Sequence, residues 1–517
     1  AQGLPGRGQV QVVLDAAVEV GPTLFFSLLI ITVSFLPIFT LEAQEGRLFK
    51  PLAFTKTFAM FFAAFLSVTL APALMILLIR GRILPEEKNP LNRFLIWIYA
   101  PVLALALRWK KTLLAFTLLA MLATVPVFLK LGSEFMPPLY EGTLFYMPTT
   151  LPGASLTTAN RILQVQDKII KSFPEVESVF GKAGRANTAT DPAPLEMFET
   201  VINLKPEKDW RPGMTVEKLI DELDRAVHLP GISNAWTMPI KARTDMLSTG
   251  IRTPVGIKVL GPNLDEIQRI GERLETVLKD IPGTRNIFAE RVTGGYYLDF
   301  NIRREEIARY GLTVEEVEAV LETAIGGMTV TTTVEGRERF PVNIRYYRDF
   351  RSDLGPLKRV LVPTPGGAQI PLGQLVDLKM SSGTTLVRSE EGELAGYVFI
   401  DVADRDIGSY VQELKKIVAE KVQVPPGYHL VWSGQYEYLE RAKERLKIII
   451  PLTLLLVFIL LYFNTAHVGK VLIVLLAVPF SLIGAFWCVY LLGYHLSVAV
   501  WVGIIALAGV DAETGVI

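Results

Sequence analysis

The chain has 517 residues, and its 52 Lys and Arg balance 52 Asp and Glu, so no global field directs it to nucleic acid. Half of the residues are hydrophobic and the mean hydropathy is +0.36, high for a soluble protein. A single cysteine (Cys488) and four scattered histidines weigh against a disulfide framework, a Cys-based metal motif or a His-rich site.

The apolar residues gather at the two ends of the chain. After a polar, glycine-containing segment, Val20 to Leu41 is an uncharged run of 22 residues, enough for a helix to cross the roughly 30 Å hydrocarbon core. Pro51 to Ile79 is a second span whose one charge, Lys56, sits near its start, where it can snorkel. Arg80 to Lys111 is strongly basic, which reads as a cytoplasmic loop. Within it, Leu91 to Leu107 is apolar but interrupted by Arg93 and Pro101, so an interfacial helix is expected rather than a span. Thr112 to Leu131 crosses back, which puts Gly132 to Lys447 outside the cytoplasm. Ile448 to Phe463, continuous with an amphipathic helix over Tyr438 to Lys447, is followed by Val471 to Leu492 and Leu496 to Ile517. Six spans result. The chain starts at Ala1 without a methionine and stops inside an apolar run, so it reads as an internal fragment.

The polar block contains an internal echo. Leu163 to Gly184 and Arg273 to Val292 each read as an amphipathic helix, a proline turn and a strand, and strands at Thr143 to Met147 and Val255 to Val259 precede them. Further helices are expected over Val216 to His228 and Glu305 to Ala324, the latter after a strand over Tyr296 to Ile302. This spacing points to split βαβ, ferredoxin-like modules. The expected fold class is α+β, a polytopic helical membrane domain plus such modules. The expected domains are 1–131 (membrane, with the basic loop and interfacial helix at 80–111), 132–250 and 251–327 (two pore-type modules), 328–447 (a β-rich, docking-type extension with a return helix at 407–422) and 448–517 (membrane).

Ala242 to Pro254, ARTDMLSTGIRTP, sets a thioether (Met246) among Arg243, Asp245 and Arg252. Taken alone, a methionine there is a gap-filler under a loop. The final span holds two carboxylates, Asp511 and Glu513, in ALAGVDAETGV. Carboxylates are costly in a membrane helix, so they read as functional, as candidate proton-relay groups. No G-x-S-x-G, P-loop or H-E-x-x-H motif occurs, so an enzyme is not expected.

SFLPIFTLEAQEGRLFKPLAFTKTFAM (34–60), EFMPPLYEGTLFYMPTTLPG (134–153), TATDPAPLEM (188–197), DMLSTGIRTPVGIKV (245–259) and HLSVAVWVGIIALAGV (495–510) together carry a resemblance that covers essentially the whole chain. The chain resembles the heavy-metal branch of the resistance-nodulation-division (RND) efflux pumps, in its Cus-type copper/silver form. The matching part is that family's fifth to tenth membrane helices and its second periplasmic half. The resemblance implies a homotrimer in the bacterial inner membrane, driven by proton antiport and working with a periplasmic adaptor and an outer-membrane channel. The only cofactor-like species implied is the transported Cu(I) or Ag(I), and lipid is the other partner.

By the same resemblance, a three-methionine site falls on Met147, Met197 and Met246. Thioethers suit soft monovalent ions and bind without deprotonation. Asp191, Glu199, Arg243 and Arg252 match charges lining the family's cleft, Arg252 standing where relatives often carry lysine. Met60 falls on the stepwise methionine path, and Met328 lies one residue from it. Relatives keep an acid matching Glu513 and usually an uncharged residue matching Asp511, so a divalent-cation exporter (Zn, Co, Ni) is the alternative reading. A membrane-anchored periplasmic metal sensor is a more distant one.

Overall fold

The computed structural model describes residues 6–78, 89–137, 140–184, 194–384 and 386–516. Four long apolar helices come first: α1 (Gly6–Ser34), α2 (Ala43–Val68), α3 (Pro90–Arg108) and α4 (Lys110–Lys130). Next comes a module built from β1 (Thr143–Tyr146), α5 (Leu156–Lys171), β2 (Val176–Ala183), β3 (Phe198–Leu204), α6 (Val216–Ala226) and the short β4 (Trp236–Thr237). Its strands run β2-β3-β1-β4, with every neighbouring pair antiparallel. Each helix therefore joins two parallel strands that have a third strand between them, the connectivity of two interleaved βαβ units. The amphipathic faces of α5 and α6 close the core, where Ile170, Leu219 and Leu223 meet Leu144, Tyr146 and Ile202.

A linking helix, α7 (Pro239–Thr249), leads into the second module. This contains β5 (Val255–Gly261), α8 (Leu264–Leu278), β6 (Thr284–Ala289) and β7 (Thr293–Ile302), then the hairpin β8 (Met328–Glu335) and β9 (Glu338–Ile344). The strands β10 (Val376–Thr384) and β11 (Glu393–Val402), α9 (Ile407–Lys421) and β12 (His429–Gly434) complete it. The main sheet has five strands; four of them run β6-β11-β5-β12, the order of the first module, and the short strand Arg388–Glu390 also pairs with β11. The echo seen in the sequence is α5–β2 against α8–β6, equivalent pieces of the two frames. The second sheet draws β5 and β6 from the expected segment 251–327, and β11 and β12 from 328–447. β5 lies between two strands under α8 and is buried along its whole length, so VGIKVLG lacks the alternation of a half-exposed strand. The chain between β6 and β11 forms an insertion in which β7 pairs with β10 and the β8–β9 hairpin is exposed throughout.

The single helix expected over Glu305 to Ala324 is two helices, Arg304–Arg309 and Val314–Val320. Gly311 takes a left-handed conformation (φ +68°) between them, and Thr313 and Glu316 form a reciprocal capping box that starts the second. The return helix falls where the sequence puts it. So does the continuous helix through the membrane boundary: α10 (Gln435–Thr465) runs unbroken for 31 residues, followed by α11 (Val468–Leu491) and α12 (Val498–Val516). Among the described residues, seven helices are long and apolar enough to cross a membrane by length and composition, against six expected from the sequence. The additional one is α3, whose side chains are almost all exposed and which packs on α4.

Candidate metal site

Two of the three sequence-predicted methionines are placed by the register of the first sheet. β1 and β3 are antiparallel with Tyr146 opposite Thr200, so the end of β1 and the start of β3 coincide. Pairing continues beyond the ladder: Thr149 bridges Met197, and the Phe198 N–H donates to the Pro148 carbonyl at 3.0 Å. Met147 and Met197 therefore leave adjacent strands at one edge of the sheet. Both are buried, Met147 completely. The Met147 N–H donates to the Ala235 carbonyl at 2.9 Å, which fixes the backbone of this edge against the approach to β4.

The third methionine arrives on α7. The stretch the sequence leaves as a loop is helical because Pro239 occupies its first turn and the Glu141 carboxylate accepts the N–H groups of Ile240 (2.9 Å) and Lys241 (3.0 Å). Ala242 and Met246, four residues apart, share the face that packs on the sheet edge. Phe145, Met147, Met197, Ala235 and Ala242, with Val201 and Met246 against them, form one apolar cluster. The three methionines thus belong to one apolar cluster, Met246 at its partly buried margin. Gly250 ends α7 in a left-handed turn (φ +76°), its N–H donating to the Met246 carbonyl at 2.9 Å. The chain reverses there.

That reversal sends Arg252 back into the cluster, where it is 8 % exposed. Its Nη1 donates to Met197 Sδ at 3.5 Å and its Nη2 to Thr149 Oγ1 at 2.6 Å, while its guanidinium lies 4.0 Å from the centre of the Phe399 ring. Nε is buried without a hydrogen-bond partner among the described residues. Burial lowers the Arg252 pKa to about 10, opposed by Glu290, so the group stays charged at neutral pH. Among the described residues, no carboxylate forms an ion pair with it. Glu199 is buried and paired with Lys182 at 2.9 Å, and Glu290 is held by Arg388 at 3.1 Å.

The remaining predicted residues are spread more widely. Arg243 is exposed on α7, away from the buried face. Asp191 lies outside the described residues. Met60 borders the cluster at the top of the membrane helices, together with Met136, and Met328 begins the exposed β8. Asp511 and Glu513 are half-buried on α12, and the Ser481 hydroxyl of α11 donates to Asp511. Lys56 lies 4.1 Å from the Phe35 ring centre, while Glu42 pairs with Arg445 at 2.5 Å and the buried Glu45 with Arg441 at 3.6 Å. Among the described residues, no group of three or more His, Cys, Asp or Glu is placed to hold a metal ion.

Sequence reasoning missed Thr149, Phe399 and the Glu45–Arg441 pair. Only the last left a signal, two arginines four apart on α10 just before its apolar run. Glu45 lines a cavity of about 370 Å³ that also reaches Glu141, Lys241 and Asp245, on the side of α7 facing the membrane helices.

Residues 2–517 match the model of the AcrB/AcrD/AcrF family. The chain is 50 % identical over 514 residues to the cation efflux system protein CusA of Escherichia coli K12, covering 99 % of this chain and 49 % of that protein. It is 34 % identical over 516 residues to the cobalt-zinc-cadmium resistance protein CzcA of Cupriavidus metallidurans, covering 98 % and 48 %. A crystal structure of a heavy metal efflux pump superposes with a TM-score of 0.86 at 26 % identity, over 98 % of this chain and 50 % of that one. The chain spans about half the length of the curated relatives it matches. With matching motifs, fold and length-wide identity in hand, the chain belongs to the AcrB/AcrD/AcrF family, in the heavy-metal branch of the RND transporters.

Proposed function

We propose that the chain is part of a proton-driven exporter of soft monovalent metal ions, Cu(I) or Ag(I), in the bacterial inner membrane. The observation that carries this reading is the meeting of Met147, Met197 and Met246 in one buried cluster. Thioether sulfur favours soft monovalent ions over hard or borderline divalent ones. Because the ligands carry no proton, affinity for the ion is nearly independent of pH. A few sulfurs give a site from which an ion can also leave, as a pump requires. Met60 serves as an earlier stop on the path and Met328 as a later one, with Asp191, Glu199 and Arg243 setting the field of the cleft. Asp511 and Glu513 carry the coupled proton. The working assembly is a homotrimer joined to a periplasmic adaptor and an outer-membrane channel.

The test is Ag(I) affinity of the chain with and without Met246→Ile. A loss of tenfold or more is expected, since one of three ligands is removed. Unchanged affinity rejects the methionine site, and tight Zn(II) binding without Ag(I) binding moves the assignment to divalent export.

A further inference from the structure

Arg252 is placed in a way that the methionine reading leaves unexplained. A buried cation usually sits against a carboxylate, because desolvation without a counter-charge is costly. Here the nearby acids, Glu199 and Glu290, are paired with Lys182 and Arg388, and the guanidinium is held by a sulfur, a hydroxyl and an aromatic face. One of its N–H groups finds no hydrogen-bond partner among the described residues. Neutral, polarisable donors that stabilise a positive charge are the donors a soft metal ion would use. One of them, Met197 Sδ, is a proposed metal ligand.

We infer that Arg252 is a tethered cation that occupies the methionine site when no metal is bound and is displaced, one charge for one charge, by an incoming monovalent ion. This inference rests on the methionine reading above. The physical reason is electrostatic. Two positive charges within a few ångströms repel strongly in a poorly hydrated pocket, so guanidinium and metal ion exclude each other. Replacing one single charge by another leaves the buried charge unchanged, whereas a divalent ion adds to it. Arg252 thereby contributes to selection for monovalent ions, and its return to Met197 assists release. Space for its departure adjoins it. A gap of about 30 Å³ touches both Arg252 and Met197, and Glu196, Glu290, Arg291 and Arg388 also line it.

The experiment measures Ag(I) affinity of the full chain in detergent for the parent, Arg252→Gln, Arg252→Lys and Met246→Ile, and for Met246→Ile combined with Arg252→Gln. Arg252→Gln is expected to tighten Ag(I) binding at least tenfold, because the competing charge is gone. Arg252→Lys, which keeps the charge, stays within threefold of the parent. A residue that merely props the pocket open would weaken binding in both variants, and weakening or no change in Arg252→Gln overturns the inference. If Met246→Ile leaves affinity unchanged in both backgrounds, the methionine reading itself fails. If it lowers affinity while Arg252→Gln fails to raise it, only the present inference fails. Should Arg252→Gln not fold, Phe399→Leu removes the aromatic seat and is expected to tighten binding several-fold, and an unchanged affinity there overturns the inference equally.

Discussion

The two strand-and-helix modules share one strand order and two equivalent helices, yet only one of them carries the methionines. The difference lies at a single edge of each sheet. Where the first and third strands of the first module meet, the chain supplies Met147, Met197 and Thr149, and α7 covers them. At the equivalent edge of the second module, β5 ends in Gly261, Pro262 and Asn263 and β11 starts from the Glu391–Gly392 turn, and Asn263 caps α8 by accepting the N–H groups of Asp265 (2.9 Å) and Glu266 (3.2 Å). One edge is closed by soft side chains and a helix, the other by turn chemistry open to solvent. The frame tolerates both, because its stability comes from the sheet–helix core beneath.

Cutting into those cores should give the largest effects. Leu144→Ala and Ile257→Ala, both at fully buried positions, are each expected to cost ~2–5 kcal/mol. Regional hydrogen exchange would show whether each loss stays in its own module; loss of protection across both would mean that the two frames unfold as one unit.

Asp401→Asn probes the junction between the modules. Burial raises the Asp401 carboxyl to about 7, opposed by Arg285 at 3.6 Å and reinforced by Asp224 of the first module. The folded state therefore holds this proton more tightly than the unfolded one. Stability contributed by the protonated form is present below the unfolded value near 3.8 and is lost as pH rises to about 7. Asparagine removes that loss, so the variant should gain about 1.4 kcal/mol at pH 8 for each pKa unit of the folded-state shift. Denaturant melts at pH 5 and pH 8 measure it; a parent stability that does not fall between them contradicts the assignment.

Met147→Leu separates packing from ligation. As a volume-conserving change it should alter stability by less than ~1.5 kcal/mol while Ag(I) affinity falls at least tenfold. Equal small effects on both would make Met147 a packing residue. Asn263→Ala is the counterpart at the other edge. Losing the cap should cost ~1 kcal/mol and leave Ag(I) affinity unchanged; a change in affinity would show that the two edges communicate.

The amphipathic helices were legible because their apolar spacing must match a helix turn to bury one face; α6 and α9 fall close to where the sequence puts them, while α8 starts nine residues before the expected Arg273. The break at Gly311–Thr313 was legible too, from a glycine followed by a capping pair, and was missed under the longer periodicity. The helical state of the 239–249 stretch was not, since the carboxylate that caps it, Glu141, lies about 100 residues away in the chain.

By itself the sequence determined which stretches are apolar enough for membrane helices and where amphipathic helices and strands alternate, because hydropathy and periodicity are local properties of a chain; which strands join the second sheet was decided by the fold. The three methionines could be named from matching motifs, but nothing local says that positions 147, 197 and 246 meet. Strand register, the α7 cap and the Gly250 turn decided that, since each joins residues far apart in sequence. The same long-range closure placed Arg252 against Met197 and Phe399, turning a surface-type charge into a buried cation.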